Sequence, residues 1–407
     1  MRVTISSLQN IAIAYVALWV TSPAMAYGTL FRALAVLAVA VWFFLELLRP
    51  NNLLLRPSVP ALIATVYIVY IAVIDLLQYG GAGLIQNFQL FIAFYFLYVI
   101  ESRRNNVESL RPVFWWVLLT LPITYIKTIY TLWFVNGHAM RIAVRSSEAA
   151  MEVANDGVGG YGLAYSTVIM VPALVMLFKY RNQMSIKLWQ KLLVIANLVL
   201  AITLVLSSGF TIAVLTLIAT LGTLVILSKV TVARGLLAAF LAAFLLIGYK
   251  PIIQTSLTAI QPFTQGTNYF IKIRDILETL EQGEAQGTAD GRIERWERSF
   301  RIFLEYPILG VWSERDIGKH SEILDTFARL GVLFGFMFIY LMLYIQIRYL
   351  GRSTRINGLA IASMVCMVAA TFMNNFVASQ GLALFFIFPV AVALITRDAK
   401  PQIKAIE

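Results

Sequence analysis

Histidine and arginine are the residues of this chain best suited to chemistry. There are only two histidines, His138 and His320. His320 opens the run KHSEILDTFARLGVLFG, whose pattern predicts a short helix running straight into an apolar one, a rigid platform for a side chain. An imidazole with its ordinary pKa of about 6.5 can act there as a general base, or it can be an ordinary interfacial histidine. His138, in VNGHAMRIAVR, has the weaker claim.

The arginines sort by their neighbours. In GRIERWERSFRIFLEYPILG, Ile293, Trp296, Phe300 and Phe303 form an apolar helical stripe that Pro307 ends. Glu294 precedes Arg298 by four residues, and Glu297 precedes Arg301 by four, the favourable order for helix ion pairs. Arg292 and Arg295 have no carboxylate three or four residues away. Their planar forks are open to an anion such as a phosphate, or they form a solvated helix face. Arg141 and Arg145 rank second as anion ligands, because Glu148 and Glu152 can neutralise them. The one cysteine, Cys366, lies in the apolar run ASMVCMVAA, which excludes an intrachain disulfide and a metal site of the Cys-cluster kind.

The elements that must position these residues are membrane helices. The 407-residue chain is 60% hydrophobic and only 13% charged, with a mean hydropathy of +0.79. Soluble domains carry roughly 25% charged residues. Apolar runs long enough to cross a membrane lie near 8–24, 29–48, 59–78, 84–100, 113–135, 158–178, 187–207, 209–229, 231–249, 331–348, 355–377 and 380–396. Ala24-Met25-Ala26 imitates a signal-peptide cleavage site, but 8–24 reads here as a span.

Alternate loops between these runs hold 18 of the 32 basic residues against five acidic ones, leaving the rest of the chain at −2. The positive-inside bias thus accounts for the whole net charge of +11 and puts both termini in the cytoplasm. Nothing in the charge points to nucleic acid.

Two loops on the opposite face, 136–157 and 250–330, are long. The expected fold class is therefore all-α: one polytopic bundle of about 12 transmembrane helices over 1–407, with 250–330 a helical subdomain between the ninth and tenth. Within it, TNYFIKIRDILETLEQ reads as a surface helix, and EQGEAQGTADG as a hinge. Arg32, Asp75 and Lys127 fall toward the outer ends of spans, where snorkelling explains them as well as a site does.

From Gly291 to Gly335 the chain resembles the signature of the O-antigen polymerase and O-antigen ligase superfamily. The matching elements are Arg292, Trp296, Pro307 to Gly310, His320, and Gly331 with Gly335. The layout of about twelve spans with long outer loops after the fifth and ninth is similar too. The resemblance implies a metal-independent inverting glycosyltransferase of the bacterial inner membrane, without a cofactor, working at the periplasmic face on polyprenyl-diphosphate-linked oligosaccharide.

Membrane lipid and a chain-length regulator protein are the implied partners. In that role Arg292 and Arg295, with Arg141 or Arg145, would bind diphosphate. His320 would be the base, with Trp296, Glu322 and Asp325 in support, although Asp325 can instead pair with Arg329 at i+4. No Asp-x-Asp occurs in either outer loop. One departure stands out: many members carry an arginine just after a Ser-rich turn where this chain has Ser207-Ser208-Gly209-Phe210.

Polymerase and ligase share a donor and differ in acceptor. A mixed-charge outer loop without a broad basic surface favours a lipid-linked repeat unit over a phosphorylated lipid A core. A lipid or glycan transporter is the non-enzyme alternative. Against it stand the absence of mid-membrane charges and of paired broken helices in two matching halves.

Overall fold

The computed structural model describes residues 4–81, 88–142, 147–227, 254–255, 257–266, 270–271, 273–274, 277–278, 290–352 and 354–397, and every regular element among them is helical. In chain order these are α1 (Ile5–Thr21), α2 (Pro23–Tyr27), α3 (Thr29–Leu47), α4 (Val59–Tyr79), α5 (Phe88–Ser102) and α6 (Arg111–Tyr130). Next come α7 (Ala139–Ile142), α8 (Ser147–Asn155), α9 (Tyr161–Tyr180), α10 (Leu188–Ser207), α11 (Thr211–Leu227) and α12 (Asp290–Glu305). The last are α13 (Glu322–Tyr349), α14 (Thr354–Met373), α15 (Ala378–Leu382) and α16 (Phe388–Arg397). Single π turns, Thr131–Val135 and Ala383–Ile387, extend α6 and join α15 to α16.

Among the described residues eight stretches are long and apolar enough to cross a membrane: α3, α4, 107–135, α9, α10, α13, 356–373 and 378–396. Three shorter apolar helices, α1, α5 and α11, account for three more of the twelve expected runs. The run at 231–249 lies outside the described residues, as does the hinge EQGEAQGTADG up to Ala289. The chain is an all-helical, multi-pass membrane protein. α3 presents Leu30, Leu37 and Phe44 to the outside at 68%, 57% and 62% exposure. Such a face suits lipid, in which only structures that satisfy their own backbone hydrogen bonds can span.

The chain divides into two compact units. The first holds residues 1–217, 341–348 and 376–407. Its centre is α5, where every residue from Ile92 to Glu101 is buried, and where the Phe94 ring stacks on Phe385 at 6.0 Å. Gly381 sits against the Ala93 backbone, so a side chain there would collide with Cα at 2.7 Å.

The buried carboxylates Glu101 and Glu46 of this unit are paired, as their desolvation requires. Glu101 accepts from Arg348 at 2.8 Å and from the Tyr344 hydroxyl at 3.0 Å. Gln9 bridges Glu46, Arg49 and Arg103, donating to Glu46 at 2.9 Å and accepting from the two arginines at 2.5 and 3.1 Å.

The second unit holds residues 218–340 and 349–375. α12 forms where its apolar stripe predicts and ends two residues before Pro307. His320 does not run straight into a continuous helix, however. The helix begins at Glu322 and is broken at Gly331, whose φ of 78° and ψ of −176° are not helical. The break exists because the segment Pro307–Gly310 is clipped against it.

Val332 donates its N–H to the Pro307 carbonyl at 2.8 Å, Val311 to Ala328 at 3.1 Å and Trp312 to Arg329 at 2.9 Å. Gly310, with a φ of 68°, lies on the Arg329–Leu330 backbone, and Gly331 lies on the Ile308–Leu309 backbone, so neither has room for a Cβ.

Candidate functional site

His320 is positioned by a chain of close contacts within the second unit. Gly318 lies directly on the Arg295 carbonyl of α12, an approach only glycine permits. Its N–H donates at 2.8 Å to the hydroxyl of Ser299, one turn further along the same helix. Ser299 donates in turn to the Asp325 carboxylate at 2.5 Å. Asp325 also accepts the backbone N–H groups of Lys319 at 3.2 Å and Ser321 at 3.0 Å. Lys319 itself has a φ of 62°, a left-handed conformation uncommon for a non-glycine residue and frequent where a side chain is being aimed.

The imidazole then meets the Arg295 guanidinium, which contacts its Nε2. A guanidinium only donates, so Nε2 accepts and the proton of the neutral ring sits on Nδ1. Burial first, then the nearby Arg295 and Arg292 charges, pull the His320 pKa down from 6.5 to about 4. The ring is therefore neutral at working pH, but its basic nitrogen is already engaged by Arg295.

Arg292 donates to the Met373 carbonyl at 3.0 Å, at the C-terminal end of α14, where a cation is favoured. Neither Arg292 nor Arg295 meets a carboxylate among the described residues. Glu294 and Arg298 form the expected pair at 3.0 Å, whereas Glu297 and Arg301 do not pair.

Two N–H donors beside these arginines lack a partner. Trp296, whose ring packs on Phe372 with centroids 5.3 Å apart, has a buried indole N–H with no acceptor. Asn374, only 4% exposed, has an unpartnered side-chain amide N–H, while its backbone carbonyl accepts from Glu322 at 3.2 Å. Buried donors are normally satisfied, so two orphans on residues adjoining Arg295 and Met373, the acceptor of Arg292, are able to serve an acceptor-rich anion. Met373 and Asn374 escaped sequence reading because one acts through its backbone and the other carries no spacing signal.

Of the two readings of Asp325, the pair with Arg329 is the one that does not form. Asp325 does not pair with Arg329: Arg329 turns to Glu314 at 2.6 Å, and Asp325 holds the backbone around His320. Glu322 meets the site through its own N–H on Asn374. Asp325 thus positions the His320 segment without orienting the ring itself.

In the first unit, Arg141 donates at 2.8 Å to the carbonyl of Gly209, and the Trp133 indole donates at 2.8 Å to Ser207. The turn Ser207–Phe210, which lacks an arginine of its own, therefore carries a guanidinium from elsewhere in the chain. Arg145 lies outside the described residues. His138 closes the turn before α7 through its backbone N–H on the Asn136 side chain at 2.9 Å. Among the described residues no cluster of His, Cys, Asp or Glu is set to hold a metal ion. No family model matches the chain, and no curated protein matches it.

Proposed function

We propose that the chain is an inverting glycosyltransferase that takes a glycan from polyprenyl diphosphate, and that it acts as a polymerase of O-antigen or a related surface polysaccharide. The observation that carries this reading is the contact of Arg295 with the Nε2 of His320, next to Arg292 and the orphaned N–H groups of Trp296 and Asn374. Four donors suit a diphosphate, and a neutral imidazole among them suits a hydroxyl that must lose its proton. Negative charge builds on the departing diphosphate as transfer proceeds, and donors fixed in advance lower the barrier to it.

In this reading an arriving diphosphate draws Arg295 away from His320 and frees Nε2. The acceptor hydroxyl gives its proton to Nε2 as its oxygen attacks the anomeric carbon. The bond from that carbon to the diphosphate oxygen breaks on the opposite face, so configuration inverts and polyprenyl diphosphate leaves. The twelve-span layout, the periplasmic placement of the site and the inner-membrane location belong to this same proposal, resting on the positive-inside bias. Arg141, held at the Ser207–Phe210 turn, supports a role as an anion ligand of the first unit.

The test is a glycan ladder on membranes of a strain lacking this gene, complemented with wild type or His320→Ala at matched expression. Loss of long chains, with a single repeat still attached to the lipid A core, is the expected result for His320→Ala. Loss of every attached repeat, with polymer accumulating on the carrier lipid, would assign a ligase; a wild-type ladder would overturn the transferase role of His320.

A further inference from the structure

A cavity of about 490 Å³ lies in the first unit among the ends of α1, α2, α3, α5 and α9, and nothing in the transferase reading uses it. Its size falls within the range of small-molecule sites, roughly 300–1,000 Å³. Four rings line it: Trp19, Tyr27, Phe88 and Tyr161. Trp19 and Phe88 brace each other edge to face, with centroids 5.7 Å apart and planes at 73°. Two of its polar side chains, Arg32 and Trp19, can only donate. Arg32 enters from the first turn of α3, and its side chain has no hydrogen bond or ion pair among the described residues.

Trp19 is only 3% exposed, yet its indole N–H has no partner. Gly159, Gly160 and Gly162 bring the backbone to the cavity wall at the start of α9, a 20-residue helix whose N-cap, Gly160, supplies no side-chain bond. The positive end of a helix favours an anion. One cation and no carboxylate line the cavity, so a single negative charge balances it.

We propose that this cavity binds a singly charged acidic saccharide, its anion on Arg32 and the Trp19 indole N–H and its ring against the aromatic wall. Electron-rich ring faces attract the weakly positive C–H face of a sugar, and an apolar wall with a few placed donors is the usual build of such sites. The Tyr27 phenol, pushed upward by burial and partly pulled back by Arg32, stays a neutral O–H able to bond a sugar hydroxyl. A lipid phosphate could supply the same negative charge, but a glycerol headgroup has no flat face to set against four rings.

The test is calorimetric titration of the full chain in phosphatidylcholine nanodiscs with cellobiose and with its glucuronate-terminated counterpart. The acidic disaccharide is expected to bind at least tenfold more tightly than cellobiose. Arg32→Gln should erase that difference. Trp19→Phe, which keeps the ring and removes the N–H, should weaken the acid about tenfold. Arg32→Lys, which keeps the charge, should retain a preference for the acid, and this covers the case in which Arg32→Gln fails to fold. Equal affinity for the two disaccharides, or an unaltered preference in Arg32→Gln, would overturn the proposal. Displacement of the bound disaccharide by phosphatidylglycerol in the nanodisc would reassign the cavity to a lipid headgroup and overturn it as well.

Discussion

Replacing Arg295 with Gln tests whether His320 is held neutral by its surroundings. The chain has only two histidines, so a His138→Asn background leaves His320 as the sole imidazole in the spectrum. Three causes hold its pKa at about 4: burial, then Arg295, then Arg292. Removing Arg295 takes away one cause but not the largest, and a nearby charge typically moves a titration by one pH unit or more. The midpoint should therefore rise by about one unit, to near 5, and remain below the ordinary value of about 6.5.

The assay is two-dimensional NMR of histidine-labelled protein in micelles, following the imidazole carbons from pH 3 to 8. The Arg295→Gln spectrum should also lose the Nδ1–H tautomer bias that the guanidinium imposes. A wild-type midpoint near 6.5, or no rise in Arg295→Gln, would refute the electrostatic account of the site.

Two further outcomes follow. A depressed histidine pKa means that the unfolded chain takes up a proton between about pH 6.5 and 4 while the native chain does not, so stability is full above that window and falls as pH is lowered through it. Thermal midpoints should therefore drop across that range in wild type and drop less in His320→Gln; equal slopes would count against it. Gly310→Ala combines a left-handed φ with collision against the Arg329–Leu330 backbone, and Gly331→Ala does the same against Ile308–Leu309. Each should lose about 2–5 kcal/mol, read as a fall in melting temperature by differential scanning fluorimetry, and a melt within a degree of wild type would show the clip to be yielding.

Helices were largely readable in the sequence because hydrophobic period and length are local. α12 appears where Ile293, Trp296, Phe300 and Phe303 recur, and Pro307 marks its end. The site was readable only in part. His320, Arg292, Arg295 and Trp296 lie on two neighbouring stretches, and the structure brings them together. For Asp325 helix spacing left two readings open, support for His320 or a pair with Arg329, and its partners Ser299 and the turn at Lys319 come from outside the helix, where no spacing rule reaches. Gly310 and Gly331 looked like separate punctuation, since no local rule reports that one residue's missing side chain makes room for another segment's backbone. Asn374 stands 54 positions from His320 with nothing in its own neighbourhood to single it out.

The pairing of Glu101 with Arg348 has a consequence during biosynthesis. The partners are 247 residues apart, and the Glu101 side chain ends with 1% of its surface exposed. At the usual pace of about 5–20 residues per second, the ribosome needs roughly 12–50 s after making the carboxylate to deliver its arginine. For that interval α5 cannot settle into the place it finally occupies with an ionised, unmatched group. Glu101 must wait protonated, at the water boundary, or sheltered by an insertion factor. The last third of the polypeptide therefore decides when the first third can close, and a ribosome stalled before codon 348 would leave an inserted but unlatched intermediate exposed to membrane proteases.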